Sequence, residues 1–349
     1  MTIASILPRP GLARPRSRAR LEAVQVIILC VVLGALAALA LTVGTRAVSL
    51  QEVASSFLEY DPASPSHIVV QTFRVPRLIA ALLVGAALAA SGTLMQDMTR
   101  NPLADPGLMG VNAGAAFGVV LAIWLFRISD PGMLIWPAIA GAGLSGLFVH
   151  ALGSAGGGAS TPIRYLLAGA ATSALLFGLI RMLLLLSQET LDVYRFWIVG
   201  SLTGTRLDDL VPLLPFFGIG FAGAIAGARM LNALSLGEDA ARSLGTDPAV
   251  IRIWNMAAVT CLCGAAVALA GPIGFIGLVV PHIARSLFGV TSLRVLISGT
   301  LIGAILLLSA DIAGRLVFAH SDLQAGVTVT LIGAPVFIWL IRRTRLMRQ

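Results

Sequence analysis

The chain has 349 residues, 57% of them hydrophobic and only 11% charged, with a mean hydropathy of +0.93. Soluble domains carry about 25% charged residues, so lipid must take the place of water around much of this chain. Its net charge of +8 rests on 24 basic residues that are all arginine, which excludes a Walker A nucleotide loop and Schiff-base chemistry, since both need a lysine.

Arg9, Arg14, Arg16, Arg18 and Arg20 precede the first apolar run, Val24–Val43. That run contains Ala38-Leu39-Ala40, a pattern open to signal-peptide cleavage. Its apolar stretch of about 20 residues exceeds the roughly 7–15 of a signal peptide, which favours a retained helix. Further runs lie near 77–97, 107–127, 132–152, 163–187, 207–229, 251–271, 274–289, 294–318 and 324–341. A membrane helix needs about 20 apolar residues, so the reading is an all-α, polytopic protein with about ten transmembrane helices. Residues 1–22 and 342–349 are then Arg-bearing tails around a single domain, 23–341, with no room left for a sizeable soluble domain.

Asp105-Pro106, Asp130-Pro131, Thr161-Pro162 and Asp247-Pro248 each place a capping side chain before a proline that suits the first helical position. Gly114/Gly118, Gly223/Gly227 and Gly299/Gly303 have the spacing that lets membrane helices approach closely. With both termini inside, the tails and inner loops hold sixteen arginines and the outer positions seven (46, 74, 77, 127, 195, 206 and 315). That bias supports cytoplasmic termini, and basic flanks of this kind argue against nucleic acid as a partner. Cys30, Cys261 and Cys263 lie within apolar runs, and the four histidines are scattered, so neither a disulfide framework nor a metal site is expected.

Three features are not explained by spanning alone. Between the sixth and seventh runs, in a loop at about 230–250, Ser235 and Glu238 have capping-box spacing and Gly245 can close a short polar helix that includes Leu236, Gly237, Ala240, Ala241 and Leu244. It reads either as a surface helix or as a docking element for a soluble partner. Arg74 and Arg77 flank Pro76 at the outer end of the second run and would either present cations on an exposed edge or snorkel to headgroups. Arg181 lies about 9 Å inside the outer end of the fifth run, with Ser173 and Gln188 close to its helical face. A charge at that depth either serves a pathway or snorkels outward.

Several long stretches resemble the permeases of ATP-binding cassette (ABC) importers for iron-siderophores, haem and vitamin B12. They are Arg74-Val-Pro-Arg77, Leu83–Leu88, Ser91-Gly92, Asn101–Gly107, Leu167–Gly169, Gly200–Leu202, Leu236–Glu238, Gly271–His282 and Gly333–Phe337, in order over about 45–341. The resemblance implies a vitamin B12-importer-like permease fold in the inner membrane. It also implies a second permease copy or paralogue, two cytoplasmic ATPase subunits that bind ATP and Mg, and an external substrate-binding protein. This chain would bind no cofactor and would not itself be an enzyme. The loop around Glu238 would be the coupling helix entering the ATPase cleft, and Arg74, Arg77 and Arg315 would meet acidic residues of the binding protein. Arg315 can also pair with Asp311 one turn earlier. Ser173, Arg181 and Gln188 would line the pathway. Thr161-Pro162-Ile163-Arg164 departs from the vitamin B12 branch, while Gln188–Leu202 is similar to the siderophore branch, so the implied substrate is a ferric siderophore, with haem or a corrinoid as the alternative. An ion-coupled secondary transporter is a different class. It needs ionisable residues near the midplane, and the acidic candidates within spans, Asp97 and Asp311, lie near span ends.

Overall fold

The computed structural model describes residues 16–44, 46–155, 162–235, 238–243, 245, 247–317 and 323–346, and the described residues are helical with short connections. In chain order the helices are α1 (Arg16–Thr42), α2 (Leu50–Leu58), α3 (Pro65–Ile68), α4 (Val75–Thr99), α5 (Val111–Phe126), α6 (Pro131–Ser154), α7 (Pro162–Leu186) and α8 (Gln188–Trp197). There follow α9 (Leu207–Leu210), α10 (Leu214–Ser235), α11 (Glu238–Ser243), α12 (Pro248–Ala270), α13 (Ile276–Phe288), α14 (Ser292–Val317) and α15 (Ala325–Leu346). Seven are long and apolar enough to cross a membrane, and α5, α13 and α15 supply three shorter apolar helices. Each of the ten expected apolar runs therefore corresponds to a helix among the described residues, seven of them of spanning length.

The starts follow the expected caps. The Asp105, Asp130 and Asp247 carboxylates accept from the backbone N–H groups of Gly107, Gly132 and Ala249 at 2.7, 3.0 and 2.8 Å. Thr161 lies outside the described residues. The second span begins earlier than its apolar run: helix extends from Pro65, and a π-helical turn over Val69–Arg74 leads into α4. Proline explains this turn. Pro76 has no N–H to donate and its ring crowds the preceding turn, so Val75 N–H reaches back five residues to the Val70 carbonyl and the register slips by one.

At the centre, α4 packs on α14, α12 and α13, while α5, α6 and α7 form a second group joined to it through α12. Gly85 on α4 faces Gly303 on α14, and Gly114 on α5 faces Gly141 on α6; a methyl on either member of a pair would run into its partner's carbonyl. Lipid offers no hydrophobic drive for helix association, so such backbone-to-backbone contact supplies the dispersion energy that holds these pairs. The outermost helix is α1, with 6% of its apolar window buried, against 72% for Pro65–Thr99.

Candidate functional site

Two of the apolar helices are interrupted inside the bundle. α5 has 16 residues and α13 has 13, or about 24 and 20 Å against some 30 Å of hydrocarbon. Left-handed residues make the breaks: Gly110 (φ 75°) opens α5 and Phe275 (φ 67°) opens α13. A bulky side chain at positive φ is strained, and Phe275 is held there by its carbonyl, which accepts from the N–H groups of Leu278 and Val279 at 3.2 and 2.9 Å. The two N-terminal ends meet, with Pro106 of the turn before α5 against Gly277 of α13, where a β-carbon would stand 2.9 Å from the proline ring. Beside this junction lies a cavity of about 360 Å³, lined by Asp105, Asn112, Ser173, Phe177, Phe275 and Leu278. Asn112 is oriented by the Cys263 thiol, which donates to its side-chain oxygen at 3.3 Å.

Of the residues assigned to a pathway, Ser173 reaches this cavity, half-buried on α7. Arg181, two turns further on, is exposed on the surface of the chain. Gln188 is not on that helix. α7 ends at Leu186, and Ser187 (φ −147°) turns the chain and caps α8, its hydroxyl accepting from the Thr190 N–H at 3.2 Å. The polar stripe expected along one helix therefore breaks before Gln188. Asp105 was legible as a cap, but its meeting with Asn112 and Phe275 at a cavity was not, because nothing local to the three marks their depth in the bundle.

Arg74 and Arg77, which the sequence left as either an exposed cationic edge or snorkelling cations, and Arg315, which the resemblance made a docking cation, are all buried. Arg74, Arg77 and Arg315 retain 5%, 8% and 8% of their surface, and Asp311 retains none. Arg77 donates through Nε and Nη2 to Asp311 Oδ1 at 3.0 and 2.8 Å, and Arg315 Nη2 donates to Oδ2 of the same carboxylate. Arg315 Nη1 also donates to the Ala40 carbonyl at 3.1 Å, while Arg74 donates to the carbonyls of Leu41, at 2.6 Å, and Arg46. Helix C-terminal carbonyls lack intrahelical donors and carry partial negative charge, so these cations satisfy the end of α1 as well as Asp311. The pairing of Arg315 with Asp311, one of the two readings left by the sequence, is thus observed.

The opposite end of the bundle carries α11. Ala241 is fully buried there, Arg242 and Ser243 are exposed, and Gly245 adopts φ 78°, as a helix-closing glycine does. Glu238 and Ala240 belong to α11 by backbone, whereas Leu236, Gly237 and Leu244 lie outside the described residues. Near α11, the Arg100 guanidinium donates to the Leu234 carbonyl at 2.6 Å, one residue before the end of α10. At the α8 end a larger cavity, of about 610 Å³, opens between α6, α8 and α12, with Asp192, Trp197, Thr203, Asp209 and Gln324 in its walls.

Ten apolar helices, two of them interrupted beside a cavity, make this chain a polytopic membrane protein. Residues 29–343 match the FecCD transport family, and the chain belongs to it. It is 44% identical over 307 residues to the ferric enterobactin transport system permease protein FepD of Escherichia coli, covering 88% of this chain and 91% of that one. The probable siderophore transport system permease protein YfiZ of Bacillus subtilis is 36% identical over 320 residues, covering 91% and 96%. Among solved structures, a metal-chelate-type ABC transporter in an inward-facing conformation superposes with a TM-score of 0.80 at 28% identity, over 91% of this chain and 98% of that one.

Proposed function

We propose that this chain is the membrane permease of an ATP-driven importer that takes up a ferric siderophore. The observation that carries this reading is near-full-length similarity to permeases named for siderophore transport. In this reading two permease copies, or this chain and a paralogue, enclose the pathway in the inner membrane. The α11 end faces the cytoplasm, where two ATPase subunits bind ATP and Mg, and α11 is the element that enters the ATPase cleft. The α8 end receives a substrate-binding protein. Arg74, Arg77 and Arg315 hold α1, α4 and α14 together beneath that protein, and they act as docking cations only by leaving Asp311 and the carbonyls of α1. The central cavity beside Ser173 and Phe177 belongs to the pathway, and Arg181 sits above it on α7, where it attracts an anionic substrate.

Ion coupling is disfavoured on chemical grounds. Asp97 and Asp311, the acidic candidates within the spans, are each paired with arginine, at 2.9 Å to Arg285 and 2.8 Å to Arg77, so a coupling ion would have to compete with a guanidinium at either one. The test is uptake of radiolabelled substrate by cells or proteoliposomes carrying the permease, ATPase and binding protein, with ferric siderophore and haem labelled on iron and a corrinoid labelled on cobalt supplied in turn. Uptake of the ferric siderophore that stops on ATP depletion and survives an uncoupler is expected. Collapse with the uncoupler alone would return the chain to the ion-coupled class, and uptake of haem or corrinoid alone would change the substrate but not the assembly.

A further inference from the structure

At the α11 end, a cavity of about 390 Å³ is walled by Gln96, Asp97, Arg100, Asn232, Arg285 and Ser292, drawn from α4, α10, α13 and α14 and their ends. The hydrogen bonds around it form one connected set. Arg285 of α13 donates to Gln96 Oε1 at 2.5 Å and to Asp97 Oδ1 at 2.9 Å. Gln96 donates in turn to the carbonyls of Gly277 and Leu278 at 3.2 and 3.1 Å. The first of these acceptors is open for a reason written in the sequence. The Gly277 carbonyl would be bonded four residues on, at position 281, and that residue is proline, which has no N–H. On the other side of the set, Arg100, the left-handed residue that ends α4, fastens the Leu234 carbonyl at the end of α10, immediately before the segment that holds α11.

This set is not saturated. Asp97 Oδ2 is buried with no hydrogen-bond partner, next to open space. Buried polar atoms are normally paired, so an unpaired carboxylate oxygen beside a cavity marks a place where a second arrangement can take a donor that this one lacks. The far end of the chain of contacts also matters. Gly277 lies against Pro106, and its neighbours Phe275 and Leu278 line the central cavity with Ser173.

We propose that Arg285, Gln96, Asp97 and Arg100 are a coupling latch, through which displacement of the α11 segment is passed to the start of α13 and so to the wall of the central cavity. The proposal rests on the reading of α11 as the ATPase-facing element. Energetic coupling between distant sites needs a contiguous physical connection, and here the last turn of α4, where the Gln96 carbonyl accepts from the Arg100 N–H, joins the Arg100–Leu234 bond to the group around Arg285. The four are positioning residues: none touches the central cavity or needs to touch ATP.

The test uses the whole reconstituted transporter and counts ATP hydrolysed per substrate molecule imported. Arg285→Gln, Arg285→Lys and Gln96→Leu are each expected to co-purify with the ATPase. Each should hydrolyse ATP at near the wild-type basal rate, yet raise the ATP consumed per import about fivefold or more. The lysine variant keeps a charge for Asp97 but cannot hold Gln96 as well, and the leucine variant removes no charge. Between them they separate coupling from charge balance. Combining Arg285→Gln with Gln96→Leu should add little to either alone, since both break one chain of contacts. Wild-type stoichiometry in any variant that assembles would overturn the latch. Absence of ATP-dependent uptake by the wild-type complex would instead overturn the transport reading, so the two failures are distinguishable.

Discussion

The two ends of the bundle use the same chemistry to opposite effect. At the α8 end, Asp311 has no exposed surface and both its oxygens are held by arginines whose side chains are 10% and 4% exposed. At the α11 end, Asp97 and Arg285 remain 17% and 21% exposed, one carboxylate oxygen is unpartnered, and a cavity stands beside the pair. A buried, fully bonded ion group can move only by exposing uncompensated charge, so it fixes α1, α4 and α14 relative to one another. A partly hydrated pair with an open acceptor can change partners at low cost. An ion pair between membrane helices is therefore a clamp or a joint depending on burial and saturation, not on the residues that form it.

The sharpest way to break this contrast is to remove the carboxylate charge at each end in turn. Asp311→Asn leaves Arg77 and Arg315 buried without their counter-charge, and a loss of about 3–5 kcal/mol is expected. It should be read as poor accumulation in the membrane and a lower unfolding temperature in detergent. Asp97→Asn, at the less buried pair, should cost less, about 1–3 kcal/mol, because Arg285 keeps its bond to Gln96. Equal unfolding temperatures for the two variants would abolish the distinction between clamp and joint.

The smallest effect expected lies on the rim of the α8 end. Glu52 opens α2 as the third residue after its cap, accepting from the Ser49 N–H, the Ser49 hydroxyl and the Ser66 hydroxyl, each at 2.8 Å. These bonds, the Ser49 backbone N–H first, pull its carboxyl from 4.5 down to about 2. A depressed carboxylate contributes stability that is complete above its ordinary value and lost as pH falls through the lowered one. Hydrogen exchange of α2, taken relative to the intrinsic amide rate at each pH, should therefore be constant from neutral pH down to 4.5 and rise between there and about 2. Glu52→Gln should remove that acid-dependent rise, and an unchanged profile in this variant would show that α2 is not fastened through Glu52.

Much of this was legible in the sequence because membrane helices are written locally. Each of the ten apolar helices could be placed from its own run, and the caps at Asp105, Asp130 and Asp247 from two adjacent residues, since a helix in lipid satisfies its backbone within itself. What local reading missed, the helix from Pro65 with its π turn before Pro76 and the separate helix α8 after Ser187, lies where polar residues border the apolar runs.

What the sequence alone could not fix is which charges face one another. Arg77 finds Asp311 across 234 positions and Arg285 finds Asp97 across 188, and neither separation leaves a periodic trace. Read singly, Arg74, Arg77 and Arg315 were cations at helix ends, equally suited to solvent, headgroups or a partner. Only the packing of α4 against α14, through Gly85 and Gly303, brings Arg77 within reach of Asp311, and only the end of α1 supplies the carbonyls that receive Arg74 and Arg315. The depth of Asp105, Asn112 and Phe275 has the same origin, for it depends on two helices of opposite direction both stopping short. The sequence by itself determined the number and order of the ten apolar helices, because backbone hydrogen bonding in lipid is settled within each one. The tertiary structure decided which ion group is a clamp, which is a joint and where the cavity lies, because those depend on how closely separate helices approach.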